Sequence, residues 1–463
     1  PSANLDRKRC KIWGIAGSLL CLFFTINFIL IDRDFSSLPV YSGKTNNISG
    51  LSYQFLLSEL GNFFLIINSI FLLISILSTF KENIKKIKLY YFLMFFSYWI
   101  ANAAMYSANL YSYYIFWELI FIPLLILAFT TQKTSKEKGE KFKLLMYFSA
   151  SSVIMFGAII FMASSAYLSN GSFNLNPQII KELISKNDYF FSSKDIIFWF
   201  LTSAILMRIS AFPFHNWLPD FCEQSPTSSI ITSLGFLVNI AIYGLIKFVI
   251  PSFNEILNEF NDVFIIIGII GLIYFPLLSI KQKTTKNVLI YCYLSHISLV
   301  ITAIFTLNPS IIPNIIYYIS NMFLALMGLF YLIYYLELKK INTSIVEFKK
   351  YMQKDNMFFL VFFIFIISFI PFLPTSGFAG LITALIYIYK YNKIMGILSV
   401  IGISLNIFSL FNAFFKKSNM DLISYKKTVP MNFVEIVPIV LISVLFTIGF
   451  LFPQKIINNI GGF

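Results

Sequence analysis

The chain is expected to be all-α: a polytopic transmembrane bundle of about thirteen helices, built as two five-helix repeats with broken helices and flanking spans. Three observations carry that expectation. Apolar residues fill 58% of the 463 positions and charged ones 12%, with a mean hydropathy of +0.78, values that a surface solvated by water hardly sustains. Apolar runs of about twenty residues, enough for a helix to cross a bilayer, follow one another from Ile12 to Phe452 and leave no room for a sizeable aqueous domain. The runs are continuous rather than alternating. In hydrocarbon the backbone must satisfy its own polar groups, and continuous runs then select helices over a closed barrel.

Spans fall near residues 12–31, 56–79, 87–107, 109–129, 144–167, 196–216, 228–250, 263–280, 287–306, 313–336, 357–389, 394–414 and 434–452. The first follows the basic run Arg7 to Lys11. The second opens near Glu59, whose carboxylate suits the positive end of a helix dipole, so capping is its expected role. Only a weak break, Tyr106 to Asn109, parts the third from the fourth. The eleventh is overlong and interrupted. The chain is expected to be a single membrane domain over 1–463, with repeat one at about 87–250, repeat two at about 263–414, and flanking helices at about 12–31, 56–79 and 434–452.

Charge sorts by side. Lys81 to Lys88, Lys133 to Lys143, Lys281 to Lys286, Lys339 to Lys354 and Lys416 to Lys427 all follow even-numbered spans. The other face has the acidic stretch Glu255, Glu259 and Asp262 and the charge-balanced loop Ser169 to Lys194, while Lys390 and Lys393 are a small exception. The positive-inside rule then puts the N-terminus inside and the C-terminus outside. The same sorting explains the net charge of +14 as topological bias rather than a nucleic-acid footprint.

Two spans are broken by proline in matching ways. The sixth runs into Pro213, Pro219 and Pro226, and the eleventh, five spans later, carries Pro371, Pro374 and Gly377. A proline inside a membrane helix frees a carbonyl and opens the backbone, and paired broken helices are the trace of a transporter built from repeats. Prolines also occur in membrane helices without that meaning.

Ionisable groups at membrane depth are costly, so each is a functional candidate. Glu118 sits mid-span in Tyr113-Tyr114-Ile115-Phe116-Trp117-Glu118, and Arg208, one turn before Pro213, is its natural counter-ion. A guanidinium attracts charge but does not release its proton, so the two could equally form a permanent structural pair. His296 is mid-span in Ser295-His296-Ile297, and histidine is the side chain that ordinarily titrates near neutrality; it is a proton-path candidate or a hydrogen-bonded core histidine. His215 lies in Phe212-Pro213-Phe214-His215-Asn216-Trp217-Leu218-Pro219-Asp220, a polar, aromatic turn fit for a cavity mouth, with Asp220 and Glu223 capping the turn, lining the entrance or lying in a solvated loop. Cys10, Cys21, Cys222 and Cys292 have no metal-ligand spacing. No phosphate loop, dinucleotide fingerprint or nucleophile with a base is present.

Trp117-Glu118 followed by Ile122-Pro123, the run Phe212 to Asp220, Tyr291 with Ser295-His296, Pro374-Thr375-Ser376-Gly377-Phe378-Ala379-Gly380, and Gly449-Phe450-Leu451-Phe452-Pro453 occur in this order. In these motifs the sequence resembles, over nearly its whole length, the antiporter-like membrane subunits of complex I (NADH:ubiquinone oxidoreductase), and the acid followed by Ile-Pro is similar to the chain 4 branch.

The resemblance implies inverted five-helix repeats, a central polar axis holding Glu118, Arg208 and His296, and proton movement driven by distant quinone reduction. His215 and Asn239 are secondary proton-path candidates. It also implies neighbouring antiporter-like and other membrane-arm subunits as partners, lipids around them, and no cofactor in this chain. FMN, iron–sulfur clusters and ubiquinone are expected in other subunits. Composition rich in Phe (54) and Tyr (26), as A+T-rich organelle genomes encode, adds the mitochondrial inner membrane with a matrix-side N-terminus. Arg208 stands where the family has Lys, and Asn239, Met322 and Leu381 where it usually has Lys, His and Glu. Fourteen helices are usual there, and this chain is expected to begin at the second. A relay needs neighbouring groups that release protons, so pumping is expected to be weak, absent or rewired through water. An Mrp-type cation/proton antiporter subunit and a structural scaffold are the alternatives.

Overall fold

The computed structural model describes residues 2–32, 41–43, 53–55, 58–79, 84, 86–129, 136–170, 173, 175–186, 194–373, 375–416, 436 and 439–444. It divides into two compact units, Pro1–Ser210 with Ser228–Phe260, and Ala211–Thr227 with Asn261–Phe463.

In the first unit, α1 (Ser2–Asp32) packs on α2 (Glu59–Ser78). Ile12, Trp13, Phe23 and Phe24 of α1 point outward, a display that suits lipid rather than water. Strands β1 (Tyr41–Gly43) and β2 (Tyr53–Phe55) pair antiparallel between these helices. Ser58, not Glu59, caps α2: its hydroxyl accepts from Gly61 N at 3.0 Å, and Glu59 is the exposed first residue. Helix α3 (Ile87–Tyr106) ends at Ser107, and Asn109 caps α4 (Leu110–Leu119) by accepting from Tyr111 N at 3.1 Å.

A one-residue turn at Ile120 separates α4 from α5 (Phe121–Phe129). Pro123 has no N–H to give the Leu119 carbonyl, so the ladder loses a rung where the polar residues gather. Helix α6 (Lys136–Asn170) packs along α8 (Lys194–Ile209), with α7 (Pro177–Lys186) between them in sequence. The expected span 196–216 is shorter than read: α8 stops at Ile209, because Ser210 takes φ 63, the left-handed conformation that ends helices, and Pro213 follows.

After α9 (Trp217–Gln224), which belongs to the second unit, α10 (Thr227–Gly244) runs into a wide π-helical turn at Leu245–Val249 and a last turn, Ile250–Ser252. Gly244 is required where it stands, since a Cβ there would meet the Tyr113 hydroxyl at 2.1 Å.

The second unit begins with the turn 211–216 and α9 (Trp217–Gln224), which packs on α12 (Thr285–Ile304). Helix α11 (Asn254–Ile280) starts earlier than the expected 263, with Glu255 in its first turn, where carboxylates favour the helix dipole. The acidic stretch is therefore helix, not loop. Helix α13 (Ile312–Leu338) is buried throughout its apolar length and packs on α12. The Lys-rich loop after it contains α14 (Ile345–Lys354), amphipathic, with Phe348, Tyr351 and Met352 inward. Span 357–389 is two helices, α15 (Asn356–Phe369) and α16 (Phe378–Tyr391), parted at the proline-bearing segment, before α17 (Lys393–Phe414).

The bundle is polytopic and helical. Among the described residues nine helices are long and apolar enough to cross a membrane, with α15 and α16 apolar but shorter. The expected thirteen is reduced by the split eleventh span, by the 16 residues of α8, and by the tyrosines and Asn102 that make α3 less apolar. Span 434–452 lies largely outside the described residues.

Candidate functional site

In the first unit the α4–α5 break leaves Glu118 on the last turn of α4, and the early stop of α8 leaves Arg208 on its last turn. Arg208 Nη2 lies 3.3 Å from Glu118 Oε1 and donates to Ser152 Oγ at 3.2 Å. Nη1 donates to the Trp117 carbonyl. The guanidinium carbon sits 4.1 Å from the Trp117 ring centre and 5.0 Å from that of Phe148. Arg208 is 1% exposed and Glu118 33%, so the cation is fixed inside while the carboxylate keeps an edge open to the outside of the chain. Such a pair holds charge in place, and of its two members only the carboxyl can exchange a proton.

Asn239 lies in a chain of amides. Its Nδ2 donates to Asn68 Oδ1 at 3.1 Å, and Asn68 Nδ2 donates to Asn102 Oδ1 at 2.9 Å. These three side chains satisfy one another's dipoles without a titrating group. Lys247, on the π-helical turn, donates to the Tyr243 hydroxyl at 2.7 Å. Neither Asn68, Asn102 nor Lys247 was singled out by sequence: a lone Asn in an apolar run is common, and Lys247 sits near a span end, where lysines usually reach water.

In the second unit His296 is fully enclosed. Its Nδ1 pairs with the Tyr318 hydroxyl at 2.6 Å, its ring meets Phe369 edge-on at 5.0 Å, and Nε2 has no hydrogen-bond partner among the described residues. His215 is 5% exposed, ringed by Phe212, Tyr274 and Phe275 with centres 6.2, 5.7 and 4.8 Å away. An aromatic cage thus stands where an open mouth was expected, because the turn folds back onto α11. Met322 and Leu381 are buried and apolar. Beside Met322, Asn321 donates to the Tyr317 carbonyl of its own helix at 2.7 Å and accepts from Ser376, a hydrogen bond that ties the break before α16 to α13.

A further cluster was hidden among loop charges. The Lys286 side chain, 8% exposed, lies 2.8 Å from Glu337 Oε1, whose other oxygen accepts from Thr227 at 3.1 Å. Close in sequence, Asn287 donates to Glu223 Oε2 at 3.0 Å, the role found for Glu223. Asp220 lies in the first turn of α9. All four cysteines are free, and Cys292 Sγ contacts Ser279 and Ser409 hydroxyls at 3.4 and 3.3 Å. Among the described residues no three His, Cys, Asp or Glu gather as metal ligands.

Residues 107–409 match the transmembrane family described as NADH:quinone oxidoreductase/Mrp antiporter. Among curated relatives, the NADH-quinone oxidoreductase subunit M of Rickettsia felis is 26% identical over 96% of this chain and 89% of its own length. The protein of that name from Buchnera aphidicola (Schizaphis graminum) is 26% identical over 90% of this chain and 86% of its own. A chain in the structure of respiratory complex I from Thermus thermophilus with bound NADH superposes with a TM-score of 0.83 at 17% identity, covering 97% of this chain and 93% of that one. A chain of the Mrp complex from Dietzia sp. gives 0.81 at 14% identity, with 98% and 92% covered. At those identities the structural matches speak for the fold.

Proposed function

Since the chain belongs to the NADH:quinone oxidoreductase/Mrp antiporter transmembrane family, we propose that it is a proton-translocating, antiporter-like subunit of a complex I membrane arm. NADH oxidation and quinone reduction take place in other subunits, which hold the FMN, iron–sulfur clusters and quinone. The observation that carries this reading is the Glu118–Arg208 pair, a titratable carboxyl 3.3 Å from a cation that is 1% exposed. Groups this costly persist in a membrane helix where they serve a path or lock a partner.

The path is weakened or rewired. Glu118 supplies a carboxyl beside Arg208, and His296, held by Tyr318, supplies an imidazole whose Nε2 has no hydrogen-bond partner among the described residues. Next to them stand amides and apolar side chains: Asn239 in its amide chain, and Met322 and Leu381 buried. Transfer across those positions relies on ordered water. Glu118→Gln in the assembled complex, reconstituted in vesicles, is expected to lower protons moved per NADH by a small but measurable amount. A marked fall would show a fully live path and overturn the weakened one.

Neighbouring antiporter-like and other membrane-arm chains are the proposed partners. The fold shared with the Dietzia Mrp chain supports a second reading, a subunit of a cation/proton antiporter. Mass spectrometry of co-purifying proteins separates them: NADH dehydrogenase subunits for the first, other antiporter subunits for the second. A scaffold without pumping survives if substituting Glu118 and His296 together leaves proton stoichiometry untouched.

The chain is multi-pass. We place its Lys-rich loops and N-terminus on the inner face, the matrix side of a mitochondrial inner membrane, as charge sorting and composition support. The relatives from Rickettsia and Buchnera support the bacterial counterpart, the cytoplasmic face. Labelling of Cys10 from one side in sealed vesicles tests the orientation.

A further inference from the structure

Outside the buried clusters, one cavity stands out on the Lys-rich side. It has a volume of about 310 Å³ and is lined by α14, the start of α15 and the end of α17. Helix α14, between two apolar helices, turns Phe348, Tyr351 and Met352 inward, an arrangement that suits an amphipathic helix at a bilayer interface. The lining combines two cations, Lys349 and Lys416, with the amides Gln353 and Asn356 and the apolar Phe359, Phe414 and Phe415. None of the lining residues is acidic. Nearby, Glu347 is paired with Lys350, and Asp355 accepts from Tyr351 and from Phe358 N.

Lys349 Nζ donates to the Lys416 backbone carbonyl at 3.1 Å, which fixes α14 against the end of α17 and brings the two lysines into one pocket. Partial burial and the neighbouring Lys416 charge hold the Lys349 ammonium below the usual lysine range. Two cations gathered over an aromatic floor, with no carboxylate lining the pocket, call for an anion that carries apolar chains.

We propose that this cavity binds an anionic phospholipid, with Lys349 and Lys416 clasping the phosphate and Phe359, Phe414 and Phe415 lying along the upper acyl chains. The bound lipid joins α14 to the ends of α15 and α17 on the Lys-rich face. The site is independent of proton movement and stands even if the chain works only as a scaffold.

The test uses the purified, assembled complex and photoactivatable phosphatidylglycerol, with the crosslinker high on the acyl chain and labelled peptides identified by mass spectrometry. Labelling is expected on residues 352–359 and 414–416. Replacing both lysines (Lys349→Gln with Lys416→Gln) should lower it about thirtyfold, at the usual worth of a lysine near an anionic lipid surface. Lys393→Gln, at the opposite end of α17, should not change it. A phosphatidylcholine probe that labels these peptides equally well overturns the proposal in favour of a plain apolar groove. Loss of labelling on adding millimolar inorganic phosphate overturns it in favour of a free-anion site. Should the Gln pair fail to assemble, the Arg pair (Lys349→Arg with Lys416→Arg) must retain preference for phosphatidylglycerol over phosphatidylcholine, and equal labelling there refutes the proposal.

Discussion

A double-mutant cycle on Glu118 and Arg208 measures whether the two charges feel each other. At their 3.3 Å separation, Coulomb's law gives about 1.3 kcal/mol in bulk water and about 5 kcal/mol at an effective dielectric of 20. Arg208 is enclosed while a third of Glu118 is open, so the coupling lies between those limits, at about 2 kcal/mol after screening on the open side. Glu118→Gln leaves Arg208 with the Trp117 carbonyl, Ser152 and two aromatic rings. Arg208→Gln removes all of these and leaves the carboxylate alone, so it should be the costlier single change. The assay is the rate of thermal inactivation of the assembled complex, with NADH–quinone activity as readout, for wild type, each single variant and the pair. Coupling of about 2 kcal/mol appears as a departure of about thirtyfold from multiplied single effects. A departure below about 0.5 kcal/mol, the scatter of independent sites, would mean that the pair is a coincidence of packing and would remove the observation on which the proton path rests.

Gly244→Ala puts a methyl carbon 2.1 Å from the Tyr113 hydroxyl, which bonds the Ile240 carbonyl at 2.9 Å; a loss of about 2–3 kcal/mol is expected, read as faster inactivation, and an unchanged rate would refute it. In the Lys286–Glu337 pair the charge left behind decides the cost. Glu337→Gln strands a cation that is 8% exposed, whereas Lys286→Met strands a carboxylate that is 34% exposed and still bonded to Thr227. Glu337→Gln should therefore cost about 2–4 kcal/mol and Lys286→Met about 1–2, and the reverse order in inactivation rates would sink that account. Installing Asn239→Lys, Met322→His and Leu381→Glu together should raise protons moved per NADH and make Glu118→Gln harmful, provided the variant assembles on native gels; an unchanged ratio in an assembled variant would show that the non-titrating positions are not the gap.

Helix class and the polar pair were legible in the sequence for the same reason: lipid admits few charges, so Glu118 and Arg208 stood out and each implied a cation or carboxylate nearby. The amide chain Asn68–Asn102–Asn239 was not legible as a unit. An amide has no net charge, and which three of many asparagines meet depends on helix rotation that apolar runs do not encode. Lys286 was hidden for the opposite reason, since a loop lysine reads the same whether solvated or paired with Glu337. Helix ends were misread where the stop signal was conformational rather than chemical: Ser210 adopts φ 63 although glycine is the usual residue there. The amphipathic α14 was masked because a count of lysines per loop ignores which side of a turn they occupy.

The π-helical turn at Leu245–Val249 holds one surplus residue, and with it an angular offset. Ahead of the turn the helix keeps the phase that sets Gly244 under Tyr113. Within it, Phe248 meets the Tyr113 ring at 5.0 Å while Lys247 reaches the Tyr243 hydroxyl. Closing the turn by one residue would swing everything downstream by about 100°, so a single amino acid decides which side chains of this helix can crowd around one tyrosine.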